Sequence, residues 1–314
     1  MKKKAKYRLR NWRDYNRSLK QRGSLTFWIS EDLLSNWEEK DKTGERGRSP
    51  YYTQAAIVAM ASVKFVFHQA GRQTGGLVES IFTLLKVNLS VPDHSTVSRR
   101  MAGEEVNLPL KPTTQARHLV CDSTGLKVYG EGEWKVRTHG VSKRRTWRKL
   151  HLQIDEATGE VVVAGGSENS VSDAEMLVEM LEVNEEEIEQ ISADGAYDRR
   201  QVYQALDKHQ IKRAAIPPRK GARIWRHGNT KGERHIRDEN LRSVRKHGKP
   251  KWKREANYHR RSLAETGVFR FKTIFGEKLQ SRKQENQFQE MIIKCAALNR
   301  MTHLGMPESY KVEV

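Results

Sequence analysis

His118-Leu-Val-Cys-Asp-Ser-Thr-Gly-Leu-Lys-Val-Tyr129 follows Lys111-Pro112 and marks the point where helical periodicity gives way to strands. Its apolar start and later alternation read as one strand. Thr146 to Ile154 and Val161 to Gly165 read as two more, joined by Asp155-Glu-Ala-Thr-Gly159, a hairpin turn. Ser172 to Val183 is a helix whose Ser172-x-x-Glu175 start resembles a capping box. Ile188 to Ala193 is a strand, Arg199 to His209 a helix, and Arg213 to Ile216 a short strand stopped by Pro217-Pro218.

The order is three strands, helix, strand, helix, strand. Strands joined by short turns are antiparallel, and strands reached through helical crossovers are parallel. This is the order of a ribonuclease-H-like mixed α/β sheet. Upstream, residues 1 to 22 carry ten Lys or Arg and one acid, Asp14. Leu25 to Trp37 is a short amphipathic segment, and Glu38 to Pro50 reads as a linker. Helices are expected from Tyr51 to Phe67 and from Leu77 to Lys86. A third, His94 to Met101, is capped by Asp93 or Ser95 and turns Arg99 and Arg100 outward. Three helices ending in a short basic one fit either a helix-turn-helix module or a plain helical bundle. The expected division is a basic arm and linker over 1–50, an all-α DNA-binding region over 51–112, and the mixed-sheet domain over 113–314. Lys212 to Arg261 carries eighteen Lys or Arg and four acids, and its portion from about 217 to 255 reads as an exposed basic insertion.

Charge narrows the partners. With 58 Lys+Arg against 39 Asp+Glu, the chain of 314 residues carries a formal +19. Such an excess concentrates polyanions and favours phosphate backbones. Aromatics among the charges (Tyr7, Trp12, Tyr15, Trp225, Trp252) suit stacking or packing on nucleic acid. In the arm, Trp12 and Arg13 are candidate DNA contacts, as are Arg99 and Arg100 in the third helix. Two cysteines, Cys121 and Cys295, without a Cys-x-x-Cys pair, exclude a zinc ribbon and a disulfide framework and fit a reducing cytoplasm. No secretory signal and no apolar span long enough for a bilayer are read in the sequence, so a membrane partner is not expected.

Two aspartates stand at matching strand ends: Asp122 in His118-Leu-Val-Cys-Asp122, and Asp194 in Gln190-Ile-Ser-Ala-Asp194. In the inferred sheet these strands are neighbours. Two carboxylates that close stay ionised only with a cation between them, and oxygen ligands suit Mg²⁺ or Mn²⁺. Asp155, in a hairpin turn, and Asp198, before a helix that it would cap, are assigned to structure.

A third acid lies near the C-terminus, in the first of two expected helices, about Asn257 to Phe275 and Glu285 to Met301. Tyr258, Arg261, Glu265 and Lys272 stand at offsets of three, seven and fourteen residues from the first. On a helix they fall within roughly 60° of arc. Leu263, Ala264, Val268, Phe271, Ile274 and Phe275 form a separate apolar arc that would pack on the sheet. Gly267 weakens the helix and marks a bend.

Tyr258-x-x-Arg261-x-x-x-Glu265 followed by Lys272 resembles the Y-R-E-K signature of bacterial insertion-sequence transposases of the DDE type. Asp122-Ser-Thr-Gly and Ala193-Asp194-Gly-Ala-Tyr-Asp198 resemble the segments around their two aspartates. Tyr7 to Asn16, Arg22-Gly-Ser-Leu and Thr146-Trp-Arg-Lys-Leu-His151 resemble the insertion sequence 5 family. The resemblance implies that Asp122, Asp194 and Glu265 hold two Mg²⁺ (or Mn²⁺) ions for phosphodiester hydrolysis and transesterification. It implies that Arg261 and Lys272 grip phosphates and Tyr258 packs on terminal nucleotides. The implied partners are double-stranded DNA, as terminal inverted repeats and target, and a second copy in a synaptic homodimer. A DNA-binding repressor with an inert domain has no need of three acids facing phosphates. A nuclease on the same fold would cut without joining.

Overall fold

The structure, a computed structural model, describes residues 6–40, 49–128, 147–226 and 235–312. The expected strand ends at Tyr129 and Thr146, much of the expected linker and the middle of the basic insertion lie outside them. The chain divides into two compact units: Met1–Pro109 with Ala296–Val314, and Leu110–Cys295.

The first unit opens with β1 (Lys6–Leu9), followed by α1 (Trp12–Arg22), α2 (Leu25–Trp28) and α3 (Glu31–Ser35). Strand β1 pairs antiparallel with the distant strand Ser309–Val312, Lys6 opposite Val312. Asn11 reinforces the closure, donating to the Met306 carbonyl and accepting from the Glu308 N–H. Helix α4 (Gln54–Val66) is capped by Thr53, which accepts from the Ala56 N–H, and buries Ile57, Met60, Val63 and Phe65. Helix α5 spans Gly71–Leu85 and begins well before the expected Leu77. Gly75 and Gly76 hid that first stretch, since glycine lowers helix propensity; burial of Thr74 and Val78 on the same face offsets the cost. Helix α6 (His94–Arg100) is capped by Asp93, as expected, with Ser95 N–H donating to Oδ1 at 2.8 Å. Trp28, Trp37 and Phe65 are fully buried, and Trp37 meets Phe82 edge to face at 5.2 Å.

The second unit carries β2 (Arg117–Lys127), β3 (Trp147–Asp155), β4 (Val161–Glu168), α7 (Asp173–Glu182), β5 (Ile188–Ser192), α8 (Arg200–Lys208) and β6 (Arg213–Ala215). The sheet order is β4-β3-β2-β5-β6. The first three strands are antiparallel and β5 and β6 join parallel, as expected; the short β3–β4 turn required the one and the helical crossovers the other, while residues 128–146 between β2 and β3 are too many for length alone to decide. Ser172 and Glu175 close a capping box on α7. Alternation along β2 sends Leu119 and Cys121 to one face, where they pack with Leu177, Leu181, Val202 and Leu206 of α7 and α8. The other face carries Val120 and Asp122.

Three expectations need correction here. The described ends of the basic stretch are not a loose arm: α9 (Ile236–His247) and α10 (Lys249–Glu255) bury Leu241 and Trp252. Asn240 donates to the Ala214 carbonyl and accepts from Trp252 Nε1, so the pair covers the outer strand β6. Asp198 caps no helix; it forms a buried ion pair with Arg237, Nε to Oδ1 2.6 Å. The helix after Asn257 is preceded by a 3₁₀ turn over Tyr258–Arg261, and α11 proper runs Ser262–Phe275. A last helix, α12, spans Gln284–Leu304. Among the described residues no helix is long and apolar enough to cross a membrane.

Candidate active site

Asp122 lies in the middle of β2 rather than at the expected strand end, and Asp194 lies two residues beyond the end of β5. The parallel register pairs Val120 with Ser192, and continuing it by two residues brings Asp122 level with Asp194. The Asp122 carboxylate accepts from its neighbour, the Ser123 N–H, at 2.9 Å. Asp194 accepts from the Ala196 N–H at 2.7 Å and starts the 3₁₀ turn Gly195–Tyr197. Burial pushes the Asp122 carboxyl above the usual carboxylate range; Ser123 and Arg261 oppose this, and the charges of Asp194 and Glu265 add to it. Asp122 thus feels the charges of both other acids.

Helix α11 lies across β2 and β3 on the Asp122 face. Ala264, Phe271 and Phe275 are buried beneath it. Gly267 is the point of closest approach: a Cβ there would stand 2.2 Å from Ile154 Cδ1. The glycine serves close packing rather than the expected bend. This packing sets the opposite edge of the helix over the aspartates.

Arg261 occupies the centre. Its guanidinium donates to Glu265 Oε1 at 2.5 Å and stands 3.7 Å from Asp122 Oδ2. Arg261 and Glu265, four residues apart, thus form an i,i+4 salt bridge. Among the described residues no three His, Cys, Asp or Glu side chains stand close enough together to hold one metal ion. Glu265 instead commits its carboxylate to Arg261. A guanidinium linking two of three acids supplies the positive charge that oxygen donors alone would take from a hard divalent cation. The donor set, all carboxylate, suits such an ion.

Tyr258 and Arg261 stack, as positions three apart do on a 3₁₀ turn, with the guanidinium carbon 5.9 Å from the ring centroid. Lys253 approaches the same ring at 5.1 Å and Trp252 packs 5.7 Å away. Lys272 does not join the acids. It lies seven residues beyond Glu265, about 10 Å along the helix, and its ammonium is 4.0 Å from Glu277. Trp12 and Arg13 are exposed on α1, and Arg99 is exposed on α6. Arg100 is held within its unit by Glu104 at 2.6 Å and by the Tyr52 carbonyl.

Sequence reading missed the bracing of the Asp194 loop. Arg219 donates from Nε to the Gly195 carbonyl at 3.1 Å and from Nη2 to Ala196 at 2.8 Å. Its own N–H donates to Asp198, which Arg237 holds from the other side. Arg237 also lies 3.9 Å over the Trp225 ring. Pro217-Pro218, read only as a strand stop, is the signal that a fixed segment follows.

The transposase DDE domain family matches residues 113–300, and a second family of the same description matches residues 20–131. No solved structure matches the chain. The match over most of its length, together with the mixed sheet, identifies the chain as a member of the DDE transposases, metal-dependent enzymes that act on DNA.

Proposed function

We propose that this chain is an insertion-sequence transposase of the insertion sequence 5 type, bearing the Y-R-E-K signature at Tyr258, Arg261, Glu265 and Lys272. It binds the terminal inverted repeats of its element, cuts at their ends and joins them to target DNA. One observation carries the reading: Asp122 lies in β2 just beyond its parallel pairing with β5, the strand that leads into Asp194, and Arg261 stands between Asp122 and Glu265.

Asp122, Asp194 and Glu265 would hold two Mg²⁺ or Mn²⁺ ions, which activate the attacking oxygen and neutralise charge on the leaving one. In the first reaction a water oxygen attacks phosphorus at the element's end. The bond to the 3′ oxygen breaks, leaving a 3′-hydroxyl and a 5′-phosphate. In the second, that 3′-hydroxyl attacks a target phosphodiester, its proton is lost to solvent, and the target's own 3′ oxygen leaves as a hydroxyl. Arg261 turns from Glu265 to a phosphate when DNA docks, freeing the carboxylate. Lys272, farther along the helix, holds a second phosphate, and Tyr258 packs against terminal nucleotides. Such phosphate contacts fix register, and base contacts choose sequence. The arm over 1–50, with Trp12 and Arg13, and the helices over 51–112, with Arg99, serve that choice. Pairing two ends calls for a homodimer in the DNA complex.

The test incubates purified protein with labelled element ends and Mg²⁺. Wild type nicks at the terminus and joins the end to target DNA. Asp122→Ala, Asp194→Ala and Glu265→Ala bind ends but leave them uncut. Cleavage by any one of them removes that residue from the site, and nicking without joining makes the protein a nuclease.

A further inference from the structure

Asp194 lies beyond the last paired residue of β5, so the sheet ladder does not hold it. Its surroundings come from the neighbouring strand. Ser192 pairs with Ala215, and the Ala193 N–H donates to the Ala215 carbonyl, so the two chains leave the sheet side by side. Pro217 and Pro218 cannot donate to a ladder and end β6 there. The loop after Asp194 packs closely on them: a Cβ at Gly195 would stand 3.4 Å from the Pro217 carbonyl oxygen. The next residue, Arg219, returns its guanidinium to that loop. Its Nε donates to the Gly195 carbonyl, and the Ala196 N–H donates to Asp194 Oδ1 at 2.7 Å. These two loop groups are opposite ends of one peptide unit, which is trans and planar. Holding its oxygen therefore aims its N–H. A second bond, Nη2 to the Ala196 carbonyl at 2.8 Å, holds the following peptide in the same fork.

We infer that Arg219 is a positioning residue for Asp194, acting through the peptide between Gly195 and Ala196. This rests on the reading of Asp194 as a metal ligand. Fixing one carboxylate oxygen orients the other, and hydrogen bonds that orient a ligand carboxylate change metal affinity by about 10–100-fold. The chain from guanidinium through peptide to carboxylate also strengthens each of its bonds, because linked hydrogen bonds polarise one another. A rigid planar fork suits two successive carbonyls in a way that a flexible ammonium does not. Arg219 stands in the basic stretch, where a cation is expected to grip DNA, but its Nε and Nη2 are both spent on this loop. Its backbone is anchored as well. The Arg219 N–H donates to Asp198 Oδ2 at 2.9 Å, and Arg237 holds Asp198 in turn, so replacing the side chain leaves that anchor in place.

The probe is Mn²⁺, its free ion counted by electron paramagnetic resonance as it is added to the protein bound to a duplex that already ends at the cut site. Asp194→Ala supplies the baseline for ions held by DNA phosphates. Arg219→Ala should raise the half-saturating Mn²⁺ about tenfold, and Arg219→Lys, the gentler change, should raise it by less. With uncut ends at low Mg²⁺, cleavage by Arg219→Ala should slow by about the same factor, and excess Mg²⁺ should restore it. End binding in EDTA, followed by anisotropy across a salt series, should be unchanged in both variants. The inference is overturned if the Mn²⁺ midpoint stays at the wild-type value in both. It is equally overturned if Arg219→Ala lowers the salt slope by about one, since the guanidinium would then belong to a DNA phosphate. Should Arg219→Ala misfold, Arg219→Lys decides by the same two readings. Wild-type Mn²⁺ binding or cleavage by Asp194→Ala would instead sink the proposed site, whatever Arg219 does.

Discussion

Arg237 and Asp198 form a buried ion pair, Nε to Oδ1 2.6 Å, that ties α9 to the loop following Asp194. Their side chains are 5% and 0% exposed. Removing one partner strands a charge in the interior, at a cost of about 3–5 kcal/mol. Arg237→Met should lower the unfolding free energy measured in urea by that amount, and Asp198→Asn with Arg237→Met together should lower it less than the sum of the two single losses. Additive losses would show that the pair is not coupled.

Gly267 and Ile154 give a second test. Alanine at 267 gains helix propensity, about 1 kcal/mol, but its Cβ would collide with Ile154 Cδ1. Overpacking typically costs about 1–3 kcal/mol, so Gly267→Ala should destabilise the fold by roughly 1 kcal/mol net. Ile154→Val deletes the colliding methyl, and alanine at 267 should then be neutral or stabilising. A double-mutant cycle in urea reads the coupling. A loss at 267 that is the same in both backgrounds would refute the packing account.

His151 supplies the pH dependence. It lies buried on β3, its Nε2 2.8 Å from Ser167 Oγ and its Nδ1 3.8 Å from Asp173. Burial pushes the imidazole down to about 4; Asp173 resists this and Lys149 adds to it. A histidine depressed in the fold contributes stability above its unfolded value, near 6.5, and that contribution is lost as pH falls toward 4. Unfolding free energy should therefore decline by up to roughly 3 kcal/mol across that window. In His151→Gln this decline should be missing, and a wild-type curve parallel to the variant's would contradict the assignment.

DNA binding should weaken steeply with salt. Each phosphate neutralised by a Lys or Arg releases counterions, and the slope of log affinity against log salt counts them. Lys272→Ala should reduce that slope by about one. An unchanged slope would place Lys272 off the DNA.

The sheet was legible because its signals are local. Each strand is an apolar run closed by its own turn or proline, and connection length separated the β3–β4 hairpin from the parallel strands reached through helices. The candidate acids were picked out by equally local signals: Asp122 and Asp194 end apolar runs, and Glu265 follows from helical offsets. The basic stretch misled because two of its charged side chains are spent inside the fold. Asp238 accepts the Trp225 and Arg226 N–H groups at 3.0 and 2.8 Å, and Arg237 is spent on Asp198. Nothing in Lys6-Tyr-Arg-Leu9 or Ser309-Tyr-Lys-Val312 announces a strand, because each becomes one only through the other. The commitment of Glu265 to Arg261 was visible as a spacing, but its proximity to Asp122 needed the packing at Gly267.

The pairing of Lys6–Leu9 with Ser309–Val312 also bears on how the protein is made. The opening strand leaves the ribosome long before its partner has been translated, so the first unit stays unfinished until the whole intervening domain has emerged. A product terminated before Ala296 would carry the amino-terminal helices without the segment that completes their unit. Nascent or truncated chains are thus deprived of that closure, and full-length synthesis becomes a condition for assembling it.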